Sequence, residues 1–183
     1  MKIFYVTADF ELSEKPSWLD SFRTKYDDPY GYHITLKQAT YFEESQLNEI
    51  EETTKKIAAN IPPLQVSFNE LFINKTPKGH VIMIKAEPNT KLTALQKELR
   101  EKLSVFGDVI AAYYKVYEEH FEPHITIARN LSDEKLEEAK KNLGEDSICA
   151  ATISHIFLKT NTIDRESEVT PEYVTSFILK NTL

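Results

Sequence analysis

Two nearly identical tetrapeptides lie about half the chain apart. The first is His-Ile-Thr-Leu at 33–36, and the second is His-Ile-Thr-Ile at 124–127. Both alternate a polar residue with an aliphatic one, which is the pattern of a β-strand with one buried face. Each is followed by a predicted helix and then by a further strand rich in β-branched residues. This repetition predicts that one structural unit is duplicated within the chain.

The alternation also predicts which side chains share a face. Successive side chains of a strand point to opposite faces, so His33 and Thr35 project from one face while their aliphatic neighbours are buried. His124 and Thr126 are expected to do the same in the second half. If the two halves pack side by side about a pseudo-twofold axis, each contributes one imidazole and one hydroxyl to a shared cleft.

These four groups suit an in-line displacement at phosphorus. A neutral histidine can take a proton from the attacking oxygen, and a protonated one can give a proton to the leaving oxygen, because the ordinary pKa of histidine is about 6.5. Each acid or base contributes roughly 10²- to 10⁴-fold in rate. The threonine hydroxyls can bind the phosphoryl oxygens.

Periodicity and turn residues predict the remaining elements. Four leucines between residues 92 and 103 recur at steps of three and four, which indicates an amphipathic helix, and Ser132 is expected to cap another. Thr-Pro-Lys-Gly at 76–79 predicts the turn of a hairpin. Further strands are predicted at 1–8, 32–37, 64–68 continuing to 71–73, 80–86, 147–159 and 173–180. Further helices are predicted at 16–22 and 44–59, and a strand-like or mixed segment at 109–118.

Composition excludes several classes of protein. With 41% hydrophobic residues the chain can form a core, and its longest apolar runs are too short to span a membrane. The net charge of −7 argues against duplex DNA as a partner and favours a small substrate or a short oligonucleotide. The one cysteine, Cys149, can form no internal disulfide, which predicts a reducing compartment, most simply the cytoplasm.

No linker rich in proline, glycine or serine divides the chain. We therefore expect residues 1–183 to form a single bilobal domain, with approximate halves 1–90 and 91–183, and we expect a monomer.

The two H-x-T-x motifs, each on a strand and each followed by a helix, resemble those of the 2H phosphoesterase superfamily. Within it, the chain is most similar to the 2′-5′ RNA ligase-like and cyclic nucleotide phosphodiesterase proteins, over nearly its whole length. The resemblance implies an α+β fold with a two-lobed, duplicated antiparallel β-sheet core, flanking helices and a central cleft. It also implies hydrolysis, or reversibly ligation, of 2′,3′-cyclic or 2′-5′ phosphodiesters of nucleotides or RNA ends without a metal or other cofactor.

The resemblance assigns roles to individual residues. His33 and His124 become the acid and the base, with a preference for His124 as the base, and Thr35 and Thr126 become phosphate-binding residues. An arginine often follows the second motif in ligase-like members, and Arg129 matches it.

Two basic residues beside the motifs are further candidates for binding phosphate. Strict alternation would place Arg129 on the face opposite His124, so its role requires the strand to end or twist first. Lys37 is expected on the face of His33, where it either helps to hold phosphate or is a solvated lysine at the strand edge.

Other interpretations remain open from sequence alone. The two histidines could be ordinary strand residues, or the fold could bind a nucleotide or an RNA end without turnover. His120, Glu122 and His124 suggest a metal hydrolase, but Pro123 breaks a helical pairing of these residues. Segments 24–31 and 109–121 are predicted to recognise the substrate. A base-stacking platform could be drawn from the aromatic residues near the motifs, which are Tyr30, Tyr32, Tyr113, Tyr114 and Phe121.

Overall fold

The computed structural model describes residues 1–26, 30–163 and 171–180. Within these residues the chain forms nine β-strands and five α-helices. In chain order they are β1 (Lys2–Asp9), β2 (Leu12–Glu14), α1 (Leu19–Tyr26), β3 (His33–Phe42), α2 (Leu47–Ala59), β4 (Leu64–Thr76), β5 (Gly79–Ala86), α3 (Thr90–Leu103), α4 (Ala112–Glu119), β6 (His124–Leu131), α5 (Asp133–Asn142), β7 (Cys149–Ile153), β8 (His155–Thr162) and β9 (Tyr173–Ile178).

The strands form two antiparallel sheets in an α+β fold. The first sheet has the order β3-β1-β8-β9, and the second has the order β2-β7-β4-β5-β6. Each sheet combines strands from both ends of the chain, so the predicted halves 1–90 and 91–183 do not coincide with the sheets. The two strands that carry the H-x-T-x motifs, β3 and β6, are edge strands of different sheets and approach each other to within 8 Å between Cα atoms.

Helices cover the apolar faces of both sheets. Helices α2 and α3 pack against the first sheet, and α1 and α5 pack against the second. The four leucines of the predicted helix lie in α3 and are fully buried, and burying each stabilises the fold by about 1.5–3 kcal/mol. Asn89 caps this helix by accepting a hydrogen bond from the backbone N–H of Leu92 at 3.0 Å. None of the helices in the described ranges is long and apolar enough to cross a membrane.

Several predicted elements are confirmed. The hairpin of β4 and β5 turns where it was expected, and Gly79 adopts the positive φ of 124° that this turn requires. The Ser132 hydroxyl caps α5 by accepting a hydrogen bond from the backbone N–H of Lys135 at 3.2 Å.

Two of the predicted segments are not single strands. Segment 109–118, predicted to be strand-like or mixed, is mixed, because Val109 makes a β-bridge to Thr40 and residues 112–119 form α4. Segment 147–159 is not one strand but two, which separate at Ser154 and belong to different sheets. Burial explains the break, because the buried positions change from odd to even numbers across Ser154.

Candidate active site

The two motif histidines occupy matching positions in the two sheets. Each is the first residue of its edge strand and is half-buried. Nδ1 of His33 lies 2.9 Å from the carbonyl oxygen of Gly31, and Nδ1 of His124 lies 2.7 Å from that of Glu122. A carbonyl oxygen can only accept, so each Nδ1 carries a proton and donates it. The Nε2 atom of each ring is left to exchange protons with a substrate.

The surroundings of both rings favour the neutral imidazole. Burial is the largest influence, and it lowers the pKa of His33 and of His124. The positive charge of Arg129 lowers both pKa values further. The hydrogen bonds to the carbonyl oxygens oppose these effects. Charge on His33 also lowers the pKa of His124.

The motif threonines lie on the same strand faces as the histidines. Thr35 pairs with Thr7 of β1, and Thr126 pairs with Met83 of β5. Both motif threonines are half-buried, whereas the aliphatic residues between and after them are buried. The predicted alternation is thus confirmed through the first four residues of each motif strand, and it brings an imidazole and a hydroxyl together twice.

A β-bulge interrupts the alternation at the same point in both strands. In β3 the bulge makes Leu36 and Lys37 consecutive buried residues, and in β6 it does the same to Ile127 and Ala128. A bulge inserts one unpaired residue and reverses the faces beyond it. Residue 129 therefore returns to the face of His124. The role predicted for Arg129 requires such a change in the strand.

Arg129 connects the second sheet to the segment that precedes His33. Its guanidinium carbon lies 4.5 Å from the centre of the Tyr30 ring, at a distance typical of a cation–π contact. The Tyr30 ring in turn meets the His33 ring edge-on, with centroids 6.0 Å apart. Arg129 is thereby held near both motifs, and a guanidinium there can form two parallel hydrogen bonds to a phosphate.

The expectation that Lys37 binds phosphate is corrected by the structure. Lys37 is 1% exposed, and its Nζ lies 2.7 Å from Oε1 of Glu118 and 2.7 Å from Oγ1 of Thr40. Burial lowers the pKa of Lys37, and the hydrogen bond to Glu118 opposes this shift. The bulge at Leu36 explains the error, because it turns Lys37 into the interior, away from the face of His33.

Several neighbours of the motifs were missed from sequence. The Phe72 ring meets the His124 ring edge-on at 5.8 Å. Phe157 pairs with Thr7 in the first sheet, as Phe72 pairs with Met83 in the second. Beside His33, Nζ of Lys159 lies 2.5 Å from Oδ2 of Asp9. These residues come from strands remote in sequence, and no local signal in the sequence indicates which strands pair.

Two segments were predicted to recognise the substrate, and one cluster of residues suggested a metal site. In segment 24–31, residues 27–29 fall outside the described part of the chain. Segment 109–121 forms α4 and its flanks. The carboxylate of Glu122 is paired with Lys85 at 2.8 Å. Across residues 1–26, 30–163 and 171–180, no three His, Cys, Asp or Glu side chains are grouped so that they could hold a metal ion.

Comparison with known proteins places the chain in a family. Residues 12–162 match the family model of the 2′-5′ RNA ligase superfamily. A Geobacillus kaustophilus (strain HTA426) protein named "Putative phosphoesterase GK0864" is 32% identical over 115 residues, which cover 61% of each chain. The RNA 2′,3′-cyclic phosphodiesterase of Bacillus subtilis (strain 168) is 26% identical over 111 residues, which cover 60% of this chain and 57% of the relative. The chain therefore aligns with less than two thirds of the length of these two relatives.

The fold is also similar to solved structures. E. coli LigT complexed with 3′-AMP superimposes with a TM-score of 0.58 and 15% sequence identity, over 96% of this chain and 98% of LigT. This likeness supports the α+β fold with two antiparallel sheets. Because the family model extends over most of its length, the chain belongs to the 2′-5′ RNA ligase superfamily of 2H phosphoesterases.

Proposed function

We propose that this protein is a phosphoesterase that hydrolyses 2′,3′-cyclic phosphodiesters of nucleotides or short RNA ends by two-histidine acid–base catalysis. The observation that carries the proposal is that His33 and His124 are held in the same way. Both imidazoles donate Nδ1–H to a backbone carbonyl, and both retain Nε2 for a reacting group. Two histidines held alike on neighbouring edge strands can act on opposite sides of one phosphorus atom.

The chemistry balances with water as the nucleophile. Nε2 of His124 accepts a proton from the water as its oxygen attacks phosphorus and a new P–O bond forms. The bond from phosphorus to one ribose oxygen breaks, and that oxygen takes a proton from Nε2 of His33. The product is a phosphomonoester, and solvent returns the two histidines to their starting protonation states. A 2′-5′ phosphodiester can be cleaved by the same steps.

Three further side chains stabilise the charge that develops on the phosphoryl oxygens. The hydroxyls of Thr35 and Thr126 donate one hydrogen bond each, and Arg129 donates a pair. These donors are built into the sheets, so little reorganisation is needed when charge develops. Lowered pKa values of the histidines keep one of them neutral, and therefore able to act as a base, at neutral pH.

The names of similar proteins support the substrate class. A relative from Bacillus subtilis is named RNA 2′,3′-cyclic phosphodiesterase, and the LigT structure contains 3′-AMP. A nucleotide with a cyclic phosphate needs only the residues around the two motifs. A long duplex would need an extended basic surface, which is difficult to reconcile with a net charge of −7.

Turnover of the four nucleoside 2′,3′-cyclic monophosphates in the presence of EDTA tests the proposal. We expect wild type to form one phosphomonoester isomer. His33→Ala and His124→Ala should each lower kcat at least about 100-fold. His80→Ala is the matched control, because His80 is a strand histidine bonded to Asp133 at 2.6 Å and belongs to neither motif. Equal activity in all four proteins, or loss of activity with EDTA, would contradict the proposed mechanism.

A further inference from the structure

Helix α4 connects the two sheets. On its buried side, Glu118 accepts hydrogen bonds from Nζ of Lys37 at 2.7 Å and from the backbone N–H of Gln38 at 2.8 Å, which fixes the helix to β3. On its exposed side, the Tyr117 hydroxyl accepts a hydrogen bond from Nδ2 of Asn74 in β4 at 3.3 Å. The helix is therefore held against both sheets.

The exposed side of α4 carries two adjacent tyrosines. Tyr113 is 50% exposed and Tyr117 is 43% exposed, although large aromatic side chains are usually buried to a greater extent. They are four residues apart and so share a helix face, with ring centroids 6.2 Å apart and ring planes at 86° to each other, an edge-to-face pair. Val116 between them is 54% exposed. We call the rings of Tyr113 and Tyr117 the tyrosine platform.

A chain of contacts runs from the tyrosine platform towards the candidate active site, beginning with the hydrogen bond between Tyr117 and Asn74. Phe72 contacts the ring of His124, and Asn74 is two residues further along the same strand face. Two strand residues cover about 7 Å, so the platform begins on the order of 10 Å from His124. Stacked bases of one strand rise about 3.4 Å each, and this distance therefore corresponds to about three nucleotides.

We propose that the tyrosine platform stacks a base of a short single-stranded oligonucleotide whose terminal cyclic phosphate lies between His33 and His124. This inference rests on the proposed function and extends it from the terminal nucleotide to the nucleotides that precede it. Aromatic stacking tolerates any base, because every base has a π-face. The bond to Asn74 holds the Tyr117 ring in place before the substrate arrives.

Two substrates that differ only in length test the inference. They are a mononucleotide and a tetranucleotide of one sequence, each ending in a 2′,3′-cyclic phosphate. We expect kcat/KM of wild type to be higher for the tetranucleotide by about 5- to 100-fold, and we expect the double variant Tyr113→Ala/Tyr117→Ala to lose most of this ratio. Tyr117→Phe should keep most of this ratio, because the ring remains and only the hydrogen bond to Asn74 is lost.

The matched control is Tyr173→Ala. Tyr173 is 41% exposed and its hydroxyl is also bonded, to Glu51, but it lies on β9 at the far edge of the first sheet. Tyr173→Ala should leave unchanged the ratio of kcat/KM for the tetranucleotide to kcat/KM for the mononucleotide. A wild-type ratio near one, or a ratio that survives in the double variant, would overturn the inference.

A binding measurement separates this inference from the proposed function. Titration calorimetry with the same mononucleotide and tetranucleotide ending in a 3′-phosphate measures the platform without turnover. If wild type hydrolyses neither cyclic phosphate but binds the tetranucleotide more tightly through Tyr113 and Tyr117, the proposed function fails and the platform is supported. If both cyclic phosphates are hydrolysed but length changes neither rate nor affinity, the platform is refuted and the proposed function stands.

Discussion

The carbonyl oxygen of Glu122 lies 2.7 Å from Nδ1 of His124, two residues further along the chain. The same relationship joins Gly31 to His33 in the other sheet. In both cases the backbone that enters the strand fixes the tautomer of the histidine that begins it. The two imidazoles are therefore held in the same orientation relative to their strands.

Protonation of the two histidines should destabilise the fold. Burial lowers the pKa of both, so between their folded pKa values and the ordinary value of about 6.5 the unfolded chain binds more protons. The contribution of these two histidines to the free energy of unfolding should thus be constant above about pH 6.5. It should fall as the pH is lowered from about 6.5 towards their pKa values in the folded protein. Urea denaturation of wild type and of His33→Gln/His124→Gln at pH 8 and pH 5.5 measures the effect. An equal loss of stability in both proteins would contradict it.

Arg129 should affect both catalysis and histidine titration. Arg129→Gln should lower kcat/KM about 100-fold or more, because a paired donor to the phosphoryl oxygens is lost. Since the arginine charge lowers the pKa of His33 and His124, its removal should also move the limbs of the pH profile to higher pH. Arg129→Lys keeps the charge but loses the planar fork, so it should lower kcat/KM without that displacement. Identical profiles for Arg129→Gln and wild type would refute the electrostatic role.

The motif threonines should contribute through their hydroxyls rather than their shape. Thr35→Val and Thr126→Val replace the hydroxyl with a methyl group, and each should lower kcat about 10- to 1,000-fold with the fold intact. Thr152→Val on β7 is the control, because Thr152 is also a strand threonine but is exposed and bonded to Gln65. Steady-state kinetics with circular dichroism on the same samples make the comparison. Loss of folded structure instead of kcat would indicate that the hydroxyls are structural.

Lys37 should support stability and not phosphate binding. Lys37→Met leaves the carboxylate of Glu118 buried without its ammonium partner, which should cost about 3–5 kcal/mol in the free energy of unfolding. Lys55→Met removes the exposed ion pair with Glu52 and should cost less than about 1 kcal/mol. Denaturant titration gives both values. A Lys37→Met protein with wild-type stability and a greatly raised KM would restore the phosphate-binding role.

Local patterns predicted the elements whose residues interact within a short stretch of chain. The leucine repeat located α3, Ser132 located the start of α5, and the Thr-Pro-Lys-Gly turn located the hairpin of β4 and β5. The H-x-T-x repeat likewise located the two strands that carry the candidate site. Each of these signals is set by periodicity or by the conformational preference of a turn residue.

Non-local pairing could not be predicted in the same way. The β-bulges of β3 and β6 turn Lys37 inward and return Arg129 to the face of His124. They arise from pairing with β1 and β5, so a strict alternation of faces along the sequence could not predict either bulge. The partners Phe72 and Lys159 reach the motifs only because strands far apart in sequence share a sheet. The boundary between β7 and β8 could have been recognised from the sequence, because the apolar residues change from odd-numbered to even-numbered positions at Ser154.

The dependence of kcat/KM on pH for wild type, His33→Gln and His124→Gln tests the two-histidine account most directly. We predict a bell-shaped profile for wild type with its optimum on the acid side of neutrality, because both histidines have lowered pKa values in the free enzyme. His124→Gln should lose the acid limb, since the base is gone, and His33→Gln should lose the alkaline limb, since the acid is gone. A bell-shaped profile in either variant, or loss of the same limb in both variants, would contradict the account.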